Sequence, residues 1–114
     1  MQDYRVIPVT IGTGMALTAP IDLERMSLCR IVTPGTLTGT AFTFQFSEDG
    51  ANWQNLYDAT GTEKSVTVAA DRAVYLDPTQ YLGIRYMKVR SGTAGTPTPE
   101  AGQRTILLVV RELW

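Results

Sequence analysis

The sequence predicts an all-β protein: an antiparallel β-sandwich, jelly-roll-like, of about eight strands. Short alternating segments separated by turn residues recur about every eight to twelve positions, which is the spacing typical of sandwiches and barrels. The composition agrees, because hydrophobic residues make up 44% of the chain and charged residues only 18%. A chain of 114 residues can bury a single core, so we expect one domain over residues 1–114.

The clearest element is a β-hairpin over Ala41–Tyr57. Three phenylalanines alternate with polar residues along its first strand, as in a strand with one buried face. The turn that follows contains Ser47, Asp49 and Gly50; an Asp side chain bonds nearby backbone, and Gly accepts a positive φ. Trp53 lies just beyond, where we expect its indole to fold back over the turn. These four residues are predicted to be structural residues of the hairpin.

Two strands and one ambiguous segment precede the hairpin. Tyr4–Ile11 reads as a strand, and Pro8 within it indicates an edge strand or a bulge because proline cannot donate to a ladder. Met15–Ala19 alternates and is predicted to be a second, short strand. Ile21–Val32 fits helical spacing and strand spacing alike. We favour a turn followed by a strand from about Ser27.

Four further segments follow the hairpin before a long loop, and one strand follows that loop. Lys64–Ala69, Ala73–Asp77 and Ile84–Arg90 alternate as strands, and Asp77-Pro78 is predicted to open one helical turn through Thr79 to Leu82. The last strand, Thr105–Val110, is an uninterrupted apolar run. Such a run is expected where both faces of a strand are covered.

The loop Ser91–Gln103 contains three glycines, two prolines and almost no apolar side chain. Such a segment buries too little surface to order itself, so we expect it to project from the domain. Two interpretations are open. The loop is either a mobile hairpin tip or an arm that orders against a neighbouring subunit, with Thr96, Pro97 and Pro99 making the contact.

The charge and the residue inventory exclude several function classes. A formal net charge of −1 gives no electrostatic footprint for nucleic acid, and no apolar run approaches the length of a membrane span. The chain has no histidine and a single cysteine, Cys29, which removes the usual general base, the commonest metal ligand and any internal disulfide. We therefore expect no enzyme, no catalytic residues, no metal site and no cofactor.

The predicted strand Ile84–Arg90 places Tyr86, Lys88 and Arg90 on one face and the apolar residues on the other. If the apolar side chains face the core, the opposite face is a cationic stripe with one aromatic ring. The stripe is either a solvated outer face with cross-strand partners or a contact surface for an acidic partner.

One local resemblance covers under half of the chain. The segment FTFQFSEDGANWQNLYDATG, with IRYMKVR further on, resembles the second half of discoidin-type jelly-roll domains, which also occur as sugar-binding modules. The positions that carry the resemblance are Ser47, Asp49, Gly50, Trp53, Arg85, Tyr86, Lys88 and Val89. It implies a carbohydrate-binding module or a tail- or baseplate-associated adhesion component as an alternative function. Trp53, Tyr57, Tyr81 and Tyr86 would then be candidate sugar platforms.

A second resemblance covers nearly the whole chain and involves small virion structural proteins of tailed bacteriophages. Its segments are Thr38–Gly50, Leu56–Glu63, Val74–Pro78, Gly83–Thr93 and Arg104–Arg111. It implies a non-enzymatic β-sandwich that acts as a capsid decoration or cement protein on the outside of the phage head. The expected partners are the major capsid protein and neighbouring copies of the chain, as a dimer or trimer. The protein would be made in the host cytoplasm and located in the virion.

The candidate partner-binding residues under this hypothesis come from the termini, the cationic stripe and the loop. They are Tyr4, Tyr86, Lys88, Arg90, Thr96, Pro97, Pro99 and Trp114. The aromatic Trp114 at the end of the chain would either pack on its own domain or anchor into a partner.

Overall fold

Nine antiparallel strands form two sheets in the computed structural model, which describes residues 4–112. A one-turn 3-10 helix, Pro78–Tyr81, lies between the seventh and eighth strands. The strands are β1 (Tyr4–Ile11), β2 (Ile21–Asp22), β3 (Ser27–Val32), β4 (Ala41–Ser47), β5 (Gln54–Asn55), β6 (Ser65–Thr67), β7 (Ala73–Tyr75), β8 (Tyr86–Ser91) and β9 (Arg104–Arg111). No helix within residues 4–112 is long and apolar enough to cross a membrane.

The strand order confirms the predicted sandwich and gives its topology. The four-stranded sheet has the order β1-β9-β3-β7, and the five-stranded sheet has the order β2-β8-β4-β5 with β6 also paired to β4. The chain crosses between sheets at every connection except those from β4 to β5 and from β5 to β6. This alternation is the arrangement of a jelly roll, in which the strands β5 and β6 share the place of one edge strand.

The core lies between the two sheets, as the alternating pattern predicts. Phe42 and Phe44 of β4 are fully buried, whereas Phe46 near its end is only half-buried. Tyr81 packs edge-to-face on Phe44 with 5.8 Å between the ring centroids. The other fully buried apolar side chains are Ile11, Leu28, Ile31, Met87, Val89, Ile106, Leu108 and Val110.

The predictions for the first third of the chain have mixed outcomes. β1 is an edge strand, as Pro8 indicates, and β3 begins at Ser27 as favoured. The predicted strand Met15–Ala19 is wrong, because only an isolated bridge from Leu17 to β8 forms there. The Val89 N–H donates to the side-chain oxygen of Thr18 at 3.0 Å rather than to a backbone carbonyl, which interrupts the ladder.

The helical turn begins where predicted, at Asp77 and Pro78, and ends at Tyr81, one residue before the predicted Leu82. Asp77 caps it by accepting a hydrogen bond from the Thr79 N–H at 3.0 Å, and Pro78 opens it.

The structure also departs from the expectation that both faces of β9 are covered. Its inner residues, Ile106, Leu108 and Val110, are fully buried in the core. On the outer face Thr105 is exposed and Leu107 half-buried, and no element formed by residues 4–112 packs over them. The apolar run therefore faces the core on one side, while its other side is only partly exposed, since Val109 on that side is 5% exposed.

Candidate functional site

The hairpin turn after β4 is held by its own side chains. The Ser47 hydroxyl accepts from the Gly50 N–H at 2.8 Å, and Asp49 Oδ1 accepts from the backbone N–H groups of Ala51 and Asn52 at 2.8 and 2.9 Å. These hydrogen bonds to backbone and side chain hold the pKa of the Asp49 carboxyl well below its usual range. Gly50 has φ 80°, a value that favours glycine. The turn is thus rigid without help from a ligand.

Trp53, Tyr86 and Lys88 meet on the outer face of the five-stranded sheet. The Lys88 ammonium lies 4.4 Å from the centre of the Trp53 ring, so the indole packs against a side chain of β8. Tyr86 lies beside Gly50 of the hairpin, and its ring carries the Arg85 guanidinium 5.0 Å from its centre. The first two members of the predicted stripe are therefore half-buried in contacts within the domain.

Arg90, the third member of the predicted stripe, is not on an exposed surface. Its side chain is 7% exposed and donates to Glu63 Oε2 and Thr43 Oγ1 at 3.3 Å and to Asn55 Oδ1 at 2.6 Å. Glu63 also accepts from the Ala94 N–H. The guanidinium ties β4, β5 and the start of the long loop together, so its partners are internal and it is removed from the contact surface.

The loop 91–103 is anchored at both ends instead of projecting along its whole length. Glu100 is fully buried, although it lies in a segment with almost no apolar side chains. Its carboxylate accepts from the N–H groups of Thr38 and Gly39, from the Ser91 hydroxyl and from Arg104 Nε, at 2.8 to 2.9 Å. Burial alone would raise the Glu100 pKa, but these hydrogen bonds outweigh it and lower the pKa to about 2.

The exposed part of this loop contains the remaining candidates. Thr96, Pro97 and Pro99 are exposed on the tip between the anchored ends. They lie apart from Tyr4, which is on β1 in the four-stranded sheet. Trp114 lies outside the described residues. The structure thus distributes the predicted partner-binding residues over separate surfaces.

The outer face of the four-stranded sheet, called here the outer sheet face, presents several exposed or half-buried apolar side chains. Register places Val6, Val109, Arg30 and Tyr75 in one row across all four strands. Tyr75 is 77% exposed and Val6 49% exposed. The other residues that register and alternation assign to this face are Tyr4, Pro8, Thr10, Val32, Ala73, Thr105, Leu107 and Arg111. Among residues 4–112 this face contains Arg30 and Arg111 and no acidic side chain.

A bulge in β3 shapes this face. The pairing of β3 with β9 shifts between Leu28 and Arg30, so Cys29 is an extra residue, and its thiol donates to the Val109 carbonyl at 3.2 Å. Beside the bulge lies a depression of about 330 Å³, bordered by Arg30, Tyr75 and Val109 among others. The depression can hold an apolar side chain next to a cation.

Sequence reasoning missed both Glu100 and the outer sheet face. The signal for the face is present in the sequence, because the run Thr105–Val110 is apolar at positions that a one-sided strand would leave polar. The register that brings Arg30 and Tyr75 beside it is visible only in the folded chain. Glu100 has no such signal, since one acidic residue in a polar loop is ordinary.

The four aromatic residues considered as sugar platforms do not form a common exposed surface. Tyr81 is 2% exposed and belongs to the core. Trp53 and Tyr86 are half-buried, and Trp53 carries Lys88 on its ring. Tyr57 alone of the four is exposed.

The comparisons with known proteins identify no family. No protein-family model matches the chain, and no curated protein matches its sequence. Residues 4–112 contain no group of three or more acidic, cysteine or histidine side chains placed to hold a metal ion.

Proposed function

We propose that this chain is a bacteriophage virion structural protein, a capsid decoration or cement protein that binds the outer surface of the head and stabilises the capsid lattice. The observation that carries the proposal is the outer sheet face. It combines exposed tyrosines, aliphatic side chains and arginines on a rigid sheet. Tyrosine and arginine are enriched where proteins bind one another. The virion as the setting comes from the sequence motifs that resemble those of small phage virion proteins.

The scaffold suits a binding role without chemistry, so we propose that the protein is not an enzyme. The hairpin turn, the Arg90 cluster and the Glu100 anchor each hold a loop to the sandwich through several hydrogen bonds. A surface fixed in this way loses little conformational entropy when it docks.

The proposed mechanism is additive binding over a repeating shell. Each copy binds the major capsid protein through one limited surface and touches neighbouring copies through others, such as the loop tip around Pro97. Each attached contact raises the effective concentration of the next, so weak contacts add up across the lattice. Dimers or trimers at symmetry axes fit this role.

The direct test is to locate the protein in purified particles of the phage that encodes it. Mass spectrometry should find many copies per virion, and cryo-electron microscopy should place them on the head exterior. Particles that lack the protein should lose their DNA at a lower temperature and regain stability when purified protein is added. Absence from the virion, or a few copies confined to the tail, would reject the assignment.

A further inference from the structure

We propose that the outer sheet face binds a different protein, which inserts an apolar side chain into the depression beside the β3 bulge and pairs a carboxylate with Arg30. This inference rests on the proposed function for its setting and adds the partner's chemistry. The partner is therefore an apolar protein surface with an acidic residue at its border.

The charge of the outer sheet face indicates that the partner carries an acidic residue. Arg30 is exposed on β3, and its guanidinium has no ion-pair or hydrogen-bond partner among residues 4–112. Arg85 and Arg5 are exposed but pair with Asp22 and Glu24, whereas Arg72, exposed and likewise without an ion pair within residues 4–112, lies outside this apolar surface. An arginine left without an anion inside an apolar surface is complementary to a carboxylate supplied from outside.

The shape of the outer sheet face indicates that the partner also inserts an apolar side chain. Val109, 5% exposed, and Tyr75, 77% exposed, both line the depression. A bound apolar side chain would displace water from these side chains and contact the Tyr75 ring. A pocket lined by an aromatic residue and an arginine is a common form of binding hot spot.

A second copy of this chain is the less suitable occupant. With ~4.8 Å between strands and ~3.3 Å per residue, the four strands give a projected face of roughly 400 Å². A stable dimer usually buries about 800 Å² on each partner. A second copy of the face would also offer, within residues 4–112, no acidic residue to pair with Arg30. The size instead fits a contact that is weak singly and is made many times.

The test uses photo-crosslinking in the cells that make the full-length protein. A photoreactive phenylalanine derivative replaces Tyr75 on the outer sheet face or, as the matched control, Tyr57, which is an exposed tyrosine outside that face. We expect a crosslink to one distinct protein from position 75 and none from position 57. The crosslinked peptide should contain an apolar residue within a few positions of Asp or Glu.

Charge variants give the second readout. Arg30→Glu should reduce the crosslink yield about tenfold, because the like charge repels the partner's carboxylate. Arg72→Glu is the control, since Arg72 is exposed in the turn before β7 and lies outside the rows of the face. Thermal melts of both variants check that they fold. Tyr75→Ser, which changes no charge, should likewise weaken binding of the wild-type partner identified by the crosslink.

The outcomes separate this inference from the proposed function. A crosslink from position 75 to the capsid protein that Arg30→Glu weakens supports both. A crosslink to a different protein supports the inference only when its peptide carries an apolar residue near Asp or Glu and Arg30→Glu lowers the yield, and otherwise overturns it; capsid decoration is then decided by the location of the protein in particles. A crosslink to another copy of the chain, equal crosslinks from both positions, or no crosslink from position 75 overturns the inference. If the protein still coats the head in that case, the proposed function stands without it.

Discussion

The Glu100 anchor supports a quantitative prediction for Glu100→Gln. The wild-type carboxylate accepts four hydrogen bonds, from the N–H groups of Thr38 and Gly39, the Ser91 hydroxyl and the Arg104 guanidinium. A glutamine side chain has one acceptor oxygen in place of two, and its amide N–H groups would face these donors. The substitution therefore leaves buried donors unsatisfied and Arg104, 13% exposed, without its anion.

The magnitude follows from the Glu100 pKa, which is lowered from 4.5 to about 2. At about 1.4 kcal/mol per pKa unit, the ionised form stabilises the fold by about 3 kcal/mol relative to the protonated form. We expect Glu100→Gln to lower the free energy of unfolding by a similar amount at pH 7. The melting temperature should fall by roughly 10 °C.

Urea denaturation at a series of pH values measures both the loss and its pH dependence. Because the folded pKa of Glu100 is depressed, its contribution is complete above pH 4.5 and is lost as the pH falls toward 2. The difference in stability between wild type and Glu100→Gln should therefore shrink over that window. Glu48→Gln is the control, since Glu48 is an exposed residue of the hairpin turn, and it should change stability by under about 0.5 kcal/mol.

Two results would refute this reasoning. One is that Glu100→Gln lowers the free energy of unfolding at pH 7 by no more than Glu48→Gln does. The other is a difference between wild type and Glu100→Gln that stays constant from pH 6 to pH 2, which would mean that the carboxyl does not change its protonation with folding.

Three further substitutions test the packing by chemical denaturation. Gly39→Ala should destabilise by about 2 kcal/mol, because the new Cβ would lie 2.1 Å from the Ser91 hydroxyl; it should cost less in a Ser91→Ala background, and an equal cost in both backgrounds would contradict the clash. Phe44→Ala should cost about 3 to 5 kcal/mol, and half-buried Phe46→Ala distinctly less, whereas equal losses would contradict the assigned core. Gly50→Ala should cost about 1 kcal/mol through its positive φ, and an unchanged midpoint would show that the turn relaxes.

Local patterns in the sequence were sufficient for most of the strands. The alternating phenylalanines, the turn residues Ser47 and Asp49 and the proline in β1 each act over a few neighbouring positions, so their consequences are readable without the fold. The short segment Met15–Ala19 shows where this fails. Its alternation suits a strand, but a side-chain contact between Thr18 and β8 takes the hydrogen bond that a strand would need.

The cationic stripe on β8 shows why the site was harder to predict than the strands. Alternation places Tyr86, Lys88 and Arg90 on one face correctly. What covers that face depends on Trp53 of the hairpin and Glu63 of a distant turn, which the sequence does not place beside it. The register of the sheet, and not the pattern of one strand, decides which cation is exposed.

The sequence by itself determined the all-β class, the hairpin and the edge position of β1, because these depend on side-chain alternation, turn chemistry and a missing backbone donor. Only the tertiary structure decided that Glu100 is buried and that Arg30 and Tyr75 join β9 in one uncovered face. The physical reason is sequence separation. Arg30 and Val109 are neighbours only because antiparallel pairing of β3 with β9 joins distant parts of the chain, and no local preference encodes that pairing.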